Sequence, residues 1–432
     1  MAEVLKPLTQ KSVAVIGGGI AGLSAAAKLA EQGISVTLFE AAPQLGGRAR
    51  RVNFNNLSLD NGQHILLGAY HQTLGLLSLV GISENSFLLR QPLSLHIHHA
   101  MRLKTCSYLP APLHLLAGLC FATGLNIGEK LRLIRFFIWL KCNRFALKND
   151  EPLLALLNRK KQSPKLIELL WEPLCLAALN TPMATASAQV YLNVLRDSFN
   201  GHRRDSDLLL PKTDLSNLLS IPMASFIQQH GGKIQLNQRI RHIKKSTSGF
   251  TLESDDKQSF EFNQVVVATA AFHIDDLGLN LDITGLSYQP IYTIYIQYPK
   301  NVHLPGPMTG LTNGLSQWVF DRGLICGQQG LIAVIISAEG PHQGLTQQAL
   351  AERVKDEMSS TFGLPKPLWS KVIAEKRATF SCEANLQRPS AKTKIADLYL
   401  AGDYVAGDYP ATIEGAIQSG LACASMVMSQ AA

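Results

Sequence analysis

The chain has 432 residues, 46% hydrophobic and 17% charged, which excludes a disordered protein and allows two or three folding units. Its formal charge is +8 and its pI about 9.1, yet no dense Lys/Arg block is interleaved with aromatics. A nucleic-acid partner is therefore not expected, and the positive charge suits an anionic cofactor or lipid headgroup instead. Seven cysteines with no C-x-x-C pair speak against a disulfide framework or a zinc site and for a reducing compartment.

The opening residues, MAEVLKPLTQKS, hold no apolar run, so no secretory signal and a cytoplasmic location are expected. Val13 to Gly17 reads as a short buried strand, β-branched and uncharged. Ile20 to Gln32 carries apolar residues at helical spacing and stops before Gly33, a natural C-cap. Strand character resumes in ISVTLFE and ends on Glu40. Gly17, Gly19 and Gly22 form G-x-G-x-x-G within one βαβ unit, the context a dinucleotide site requires. Gly17 permits the tight turn, Gly19 lets a pyrophosphate approach the backbone, and Gly22 lets the helix pack on the strand. Ile20 and Ala21 open that helix, whose free N–H groups attract phosphate. Glu40 lies 18 residues beyond Gly22. There a carboxylate binds a ribose diol and repels a 2′-phosphate, selecting FAD or NAD over NADP. Ala41 follows, and Gly46-Gly47-Arg48 then frees the backbone again and offers a guanidinium to phosphate.

Further along, Asp60 shapes a glycine turn, and Gln63 and His64 follow it. His96-Ile97-His98-His99 has no nearby acid or cysteine to complete a metal site, so no metal is expected. The apolar run from Tyr108 to Ile127 is broken by two prolines, a His and an Asn, and the next stretch, Glu129 to Phe145, carries many charges. Neither suits a membrane span. Residues 108–145 instead suggest a cap or a membrane-contact element, with Phe136, Phe137 and Trp139 as the contacts. Glu172 sits in an apolar stretch, where desolvation raises a carboxyl pKa. Lys233 to Ile243, which includes Ile240, alternates like a strand, and Gln264 to Phe272 reads as a buried one. Tyr288 to Pro299 is β-like, with its tyrosines on a half-buried face. A short strand ends at Gly402-Asp403, and Thr412, Ile413 and Glu414 open a last helix whose N-terminus favours negative charge. There is no G-x-S-x-G elbow and no second nucleotide fingerprint, so electrons are expected from an external donor.

In order and spacing these pieces resemble the FAD-binding signature of the amine oxidase and phytoene desaturase superfamily. The resemblance implies an α/β protein with a Rossmann-like FAD-binding domain (1–70, 232–275 and 385–432) and an inserted α+β substrate domain (75–230, Leu-rich and helical, and 280–380, more β). It implies that the Gly46-Gly47-Arg48 turn meets the pyrophosphate, that Asp403 holds the ribityl chain, and that the last helix points at the flavin. It also implies that Gln63 and His64 pass close to the ring and that Ile240 lies on the adenine. Outside these motifs, DNGQHILLGAY and WEPLCLAALNTP further resemble the bacterial hydroxysqualene dehydroxylases. That likeness implies a C30 isoprenoid substrate, reductive loss of an allylic hydroxyl, and peripheral contact with the inner face of the cell membrane. His64 and Glu172 are then the candidate acids. The rival expectations are an oxidative carotenoid-type desaturase, an amine oxidase, and a non-enzymatic isoprenoid carrier like the Rab GDP-dissociation inhibitors. No oligomeric state is legible.

Overall fold

The computed structural model describes residues 11–281, 283–312 and 314–429; most of the opening stretch read for a signal sequence, residues 1–10, lies outside them. Five short strands form one parallel sheet in the order Lys233–Gln235, Ser35–Phe39, Ser12–Ile16, Gln264–Val267, Leu398–Leu400. Their side chains alternate between two cores, as period 2 requires. Val13, Val15 and Leu38 enter one shared with the helices Ile20–Glu31 and Ile413–Ser429. Ala14, Ile16 and Phe39 enter the other, where Phe39 meets Phe260 and Phe262 of an antiparallel meander. The two helices touch closely at Gly420, where a Cβ would stand 2.2 Å from the Ala21 carbonyl oxygen.

The strands of this nucleotide side come from residues 12–39, 233–267 and 398–400. The boundaries at residues 70–75 and 230–232 cut through its packing, however. His71–Leu79 and Ile221–Gln229 both bury apolar residues (Leu76, Leu77, Met223, Ile227) in the same core as the glycine-turn helix. A helix needs cover on both flanks, and these two supply it from sequence that by composition belongs with the cap.

A second sheet of seven strands runs in the order Trp369–Phe380, Tyr288–Gln297, Leu331–Ser337, Trp318–Asp321, Met308–Gly310, Ser94–Ile97, Met101–Lys104. Helix Gln347–Phe362 covers one face and places Leu350, Val354 and Met358 on Tyr292, Ile294 and Val334. The opposite face, carrying Tyr295, Trp318 and Phe320, belongs to the larger core shared with the helices of residues 113–199. Tyr292, Tyr295 and Tyr298 are all buried, so the tyrosine strand is covered on both faces rather than half-buried. The 75–230 stretch, expected to be Leu-rich and helical, also holds strands. Leu88–Gln91 pairs with Leu208–Pro211, and Ser94–Ile97 forms a hairpin with Met101–Lys104 and meets Met308–Gly310 on its other side.

Among the described residues no helix is long and apolar enough to cross a membrane. Helix Ile127–Cys142 starts with a capping box, Asn126 to Glu129. It buries Leu133, Phe136 and Leu140. The aromatic trio expected at lipid is corrected here. Phe136 stacks edge-on against buried Trp171 at 5.3 Å, Phe137 packs on Phe199, and the Lys160 ammonium covers Trp139 at 3.7 Å. These rings serve the cap's own core.

Candidate functional site

One large cavity of about 780 Å³ runs from the glycine turn to the seven-stranded sheet. Its first end is made by backbone. Gly17 has φ +112°, and a Cβ there would stand 2.6 Å from the Ala268 carbonyl oxygen. A Cβ on Gly22 would stand 2.0 Å from the Gly17 oxygen, so only glycine lets the helix sit on the turn. Gly19 precedes the helix with no side-chain cap, and a Cβ on it would meet no atom within 4 Å. The helix amides at Ile20 and Ala21 therefore open onto free space, which suits a pyrophosphate.

The second glycine turn lies against the first. The Gly46 amide donates to the Gly18 carbonyl at 2.8 Å, and Gly46 and Gly47 both take positive φ. Glu40 accepts from the Gly18 amide and, with its other oxygen, from the Ala42 amide, each at 2.7 Å. Glu40, Ala41 and Ile240 line the same end, where the Gln238 amide donates to the Glu40 carbonyl at 2.9 Å. The Arg48 guanidinium, expected on phosphate, is paired with Asp403 at 2.7 Å and donates to the Ala378 carbonyl at 2.7 Å. A carboxylate, like a phosphate, suits the arginine fork, and Arg48 still lines the cavity. Arg48 thereby ties the second glycine turn to Gly402-Asp403. Thr412 accepts from the Gly415 amide at 3.1 Å, starting the last helix, and Thr412 and Ile413 face the cavity.

Gln63 and His64 form the middle of the cavity wall. His64 Nδ1 lies 2.6 Å from the Gly62 carbonyl oxygen, which can only accept, so Nδ1 carries the proton. Burial holds the ring's pKa below its usual value, and nearby Arg48 adds to this, so the ring is neutral. Nε2 is then left as an acceptor on a ring that lines the cavity.

Two further expectations are corrected. Glu172 is exposed on helix Glu172–Leu179 and does not line the cavity, although desolvation and then Glu168 do raise its pKa. Its helix reaches the cavity one turn later, at Leu176 and Ala178. Glu414 also turns away. Its buried carboxylate accepts from the Gln72 and Thr73 amides at 3.1 and 2.9 Å and from the Thr73 hydroxyl at 2.6 Å. It caps helix His71–Leu79, because free N-terminal amides attract the nearest anion. Glu414→Ala should therefore cost about 2–3 kcal/mol of stability, read by denaturant unfolding, while the flavin spectrum stays unchanged. A variant that loses its flavin but keeps its stability would contradict this assignment.

A buried network missed by sequence reading supports the middle wall. Arg322 is 1% exposed and donates from Nη1 to Gln63 Oε1 at 2.8 Å and from Nε to Gln328 Oε1 at 2.9 Å. Asp60 lies 3.7 Å from the same guanidinium and accepts from the Leu215 amide at 2.8 Å. Burial pushes its carboxyl up to about 6, against the pull of Arg322. The motif around Asp60 signalled a turn, but nothing near Arg322 in sequence signalled its partner. Leu176, Ala178, Ile291, Trp318, Phe320 and Ile335 give the cavity an apolar wall, with Asn180, Ser337 and Thr379 as polar members of the same lining.

Comparison with known proteins agrees with this arrangement. The hydroxysqualene dehydroxylase of Zymomonas mobilis is 27% identical over 96% of this chain and 98% of its own, and two further hydroxysqualene dehydroxylases are 26% and 28% identical. A zeta-carotene desaturase of Arabidopsis thaliana is 23% identical over 96% of this chain and 85% of its own. The solved structure of cyclohexylamine oxidase from Brevibacterium oxydans shares the fold, with a TM-score of 0.70 at 16% identity over 98% of this chain and 99% of that one. The family model of flavin-containing amine oxidoreductases matches residues 20–428. Two interlocked glycine turns, a ribose-side acid and a helix N-terminus at one cavity fit FAD, and the chain belongs to the flavin-containing amine oxidoreductase family as an FAD-dependent oxidoreductase.

Proposed function

We propose that the chain removes the hydroxyl of hydroxysqualene reductively, giving squalene. The observation that carries this reading is the cavity itself, which joins the glycine-turn end to an apolar wall; likeness to hydroxysqualene dehydroxylases over nearly the whole chain supports it. In the balanced reaction the allylic C–O bond breaks, the hydroxyl leaves as water with a proton that derives overall from the reduced cofactor by way of solvent, and a hydride forms the new C–H bond. Reduced FAD, when bound, supplies that hydride and its two electrons.

The chain's own residues bind, orient and shield. Leu176, Ile291, Trp318 and Phe320 offer the polyisoprenoid chain an apolar wall and keep water from a cationic carbon. His64 Nε2 accepts a hydrogen bond from the substrate hydroxyl and orients it. Arg322 holds Gln63, and through it the turn that carries His64. Glu40, Gly46, Gly47 and Asp403 hold FAD along the glycine-turn end. His64→Ala should lower kcat about a hundred-fold with the flavin spectrum intact; an unchanged kcat would remove His64 from the reaction.

The direct test is anaerobic. Enzyme photoreduced under argon and mixed with hydroxysqualene should reoxidise its flavin and release squalene one for one. Flavin that stays reduced, with no squalene formed, overturns the proposal; oxidised enzyme that instead desaturates a carotenoid precursor would establish the desaturase reading. The substrate is a membrane lipid by its chemistry, so the chain works at the inner face of the cell membrane. The electron donor is an external protein or small reductant.

A further inference from the structure

Seven of the twelve exposed large hydrophobic side chains among the described residues fall between residues 108 and 138. Tyr108 is 96% exposed, Phe121 85% and Ile127 77%. They sit on two helices, Leu113–Cys120 and Ile127–Cys142, and on the segments beside them. The second helix is apolar on two sides. Leu133, Phe136 and Leu140 face inward, while Ile127, Leu131 and Ile138 recur at helical spacing on the outside. A single monomer rarely leaves such a patch uncovered without a use for it.

The charge around the patch selects the occupant. Residues 101–149 hold eight lysines and arginines and one acid, a net of +7 against +8 for the whole chain. That acid, Glu129, is buried and spent on the capping box. Arg132, Arg135, Lys141 and Arg144 are all exposed and flank the outer apolar stripe. A second copy of the chain would bring the same excess of positive charge face to face. Apolar tips among solvated cations match an anionic bilayer, whose acyl boundary takes the former and whose headgroups take the latter.

We infer that the two helices Leu113–Cys120 and Ile127–Cys142 form a docking face for an anionic lipid surface. Tyr108, Phe121, Ile127, Leu131 and Ile138 enter the acyl boundary, and Arg135 and Lys141 meet the phosphates. This deepens the reading of a membrane-borne substrate, but it stands on exposure and charge alone and is tested without substrate.

The flavin-loaded protein should sediment with phosphatidylglycerol-rich vesicles, weakly with pure phosphatidylcholine, and less as salt rises. Arg135→Gln with Lys141→Gln should weaken binding about 25-fold, at roughly five-fold per cation. Phe121→Ser with Ile138→Ser should weaken it even at low salt. A polarity-sensitive dye on the exposed Cys120 or Cys142 should shift to the blue when vesicles are added. Retained flavin absorbance shows that each variant is folded. Failure of the wild type to bind, or unchanged binding by both variants, overturns the inference, as does a dimer that the Phe121→Ser/Ile138→Ser pair dissolves in the absence of lipid. Vesicle binding in a protein that fails to convert hydroxysqualene would uphold this face and sink only the reaction.

Discussion

Gly19→Val is expected to give a folded protein that no longer carries FAD. A Cβ at Gly19 meets no protein atom within 4 Å, so the folded chain has room for the substitution. Its backbone already lies at φ −72°, where any residue is comfortable. The space that valine would fill is the approach to the helix amides of Ile20 and Ala21, where a pyrophosphate must come within hydrogen-bond reach. Flavin affinity should fall by about two orders of magnitude, with unfolding stability measured without flavin close to that of the wild type. Gly22→Val is the contrasting case. Its Cβ would overlap the Gly17 oxygen at 2.0 Å, so the helix itself must shift and both flavin and stability should be lost. Visible absorbance per protein and denaturant unfolding of the two variants separate a ligand contact from a packing contact. A yellow Gly19→Val protein with wild-type affinity would show that the phosphates lie elsewhere.

Arg322→Met should destabilise the protein by about 3–5 kcal/mol at neutral pH, and by less at pH 5. Arg322 and Asp60 are each 1% exposed, so removing the cation leaves a buried carboxylate with only the Leu215 amide as a close donor. The direction with pH follows from Asp60. Its folded pKa of about 6 lies above the unfolded value of 3.8, because burial favours the protonated form. Stability from this group is thus fully present below pH 3.8 and lost as pH rises through 6. Without Arg322 the folded pKa rises further, so stability goes on falling above pH 6, and the gap between variant and wild type widens there. Urea unfolding of both proteins at pH 5 and pH 7.5 measures this. An equal gap at both pH values would mean that Asp60 is not the group left behind. Because Arg322 also holds Gln63, the variant's kcat should fall more than its KM rises.

Much of the nucleotide side was legible in the sequence because it is built from local contacts. A strand, a glycine turn and a helix within about 30 residues bring their own geometry. Gly17, Gly19 and Gly22 read as a phosphate cradle before any tertiary contact is known, and the strand alternation of Val13 to Ile16 follows from period alone. The order of the distant pieces, Glu40, Ile240, Asp403 and Thr412, pointed to one cavity, and the structure does bring all four to its wall.

Which way a side chain turns was decided only by the tertiary structure. Glu414 and Glu172 sit in motifs that suggest chemistry, yet one caps a helix that begins at His71 and the other faces solvent. Arg48 reads as a phosphate ligand, and only the fold shows that Asp403, 355 residues away, is also its partner. Arg322 and Gln63 are 259 residues apart and carry no shared motif. Helix Ile127–Cys142 is the plainest case. Sequence periodicity places apolar residues on it but cannot say which stripe the protein covers. Packing against Trp171 chose Phe136 and Phe137 for the core and left Ile127, Leu131 and Ile138 outside. Local geometry is set by neighbours along the chain and so is written in their order, whereas the partner of a charge or of a helix face is whatever the fold brings near it.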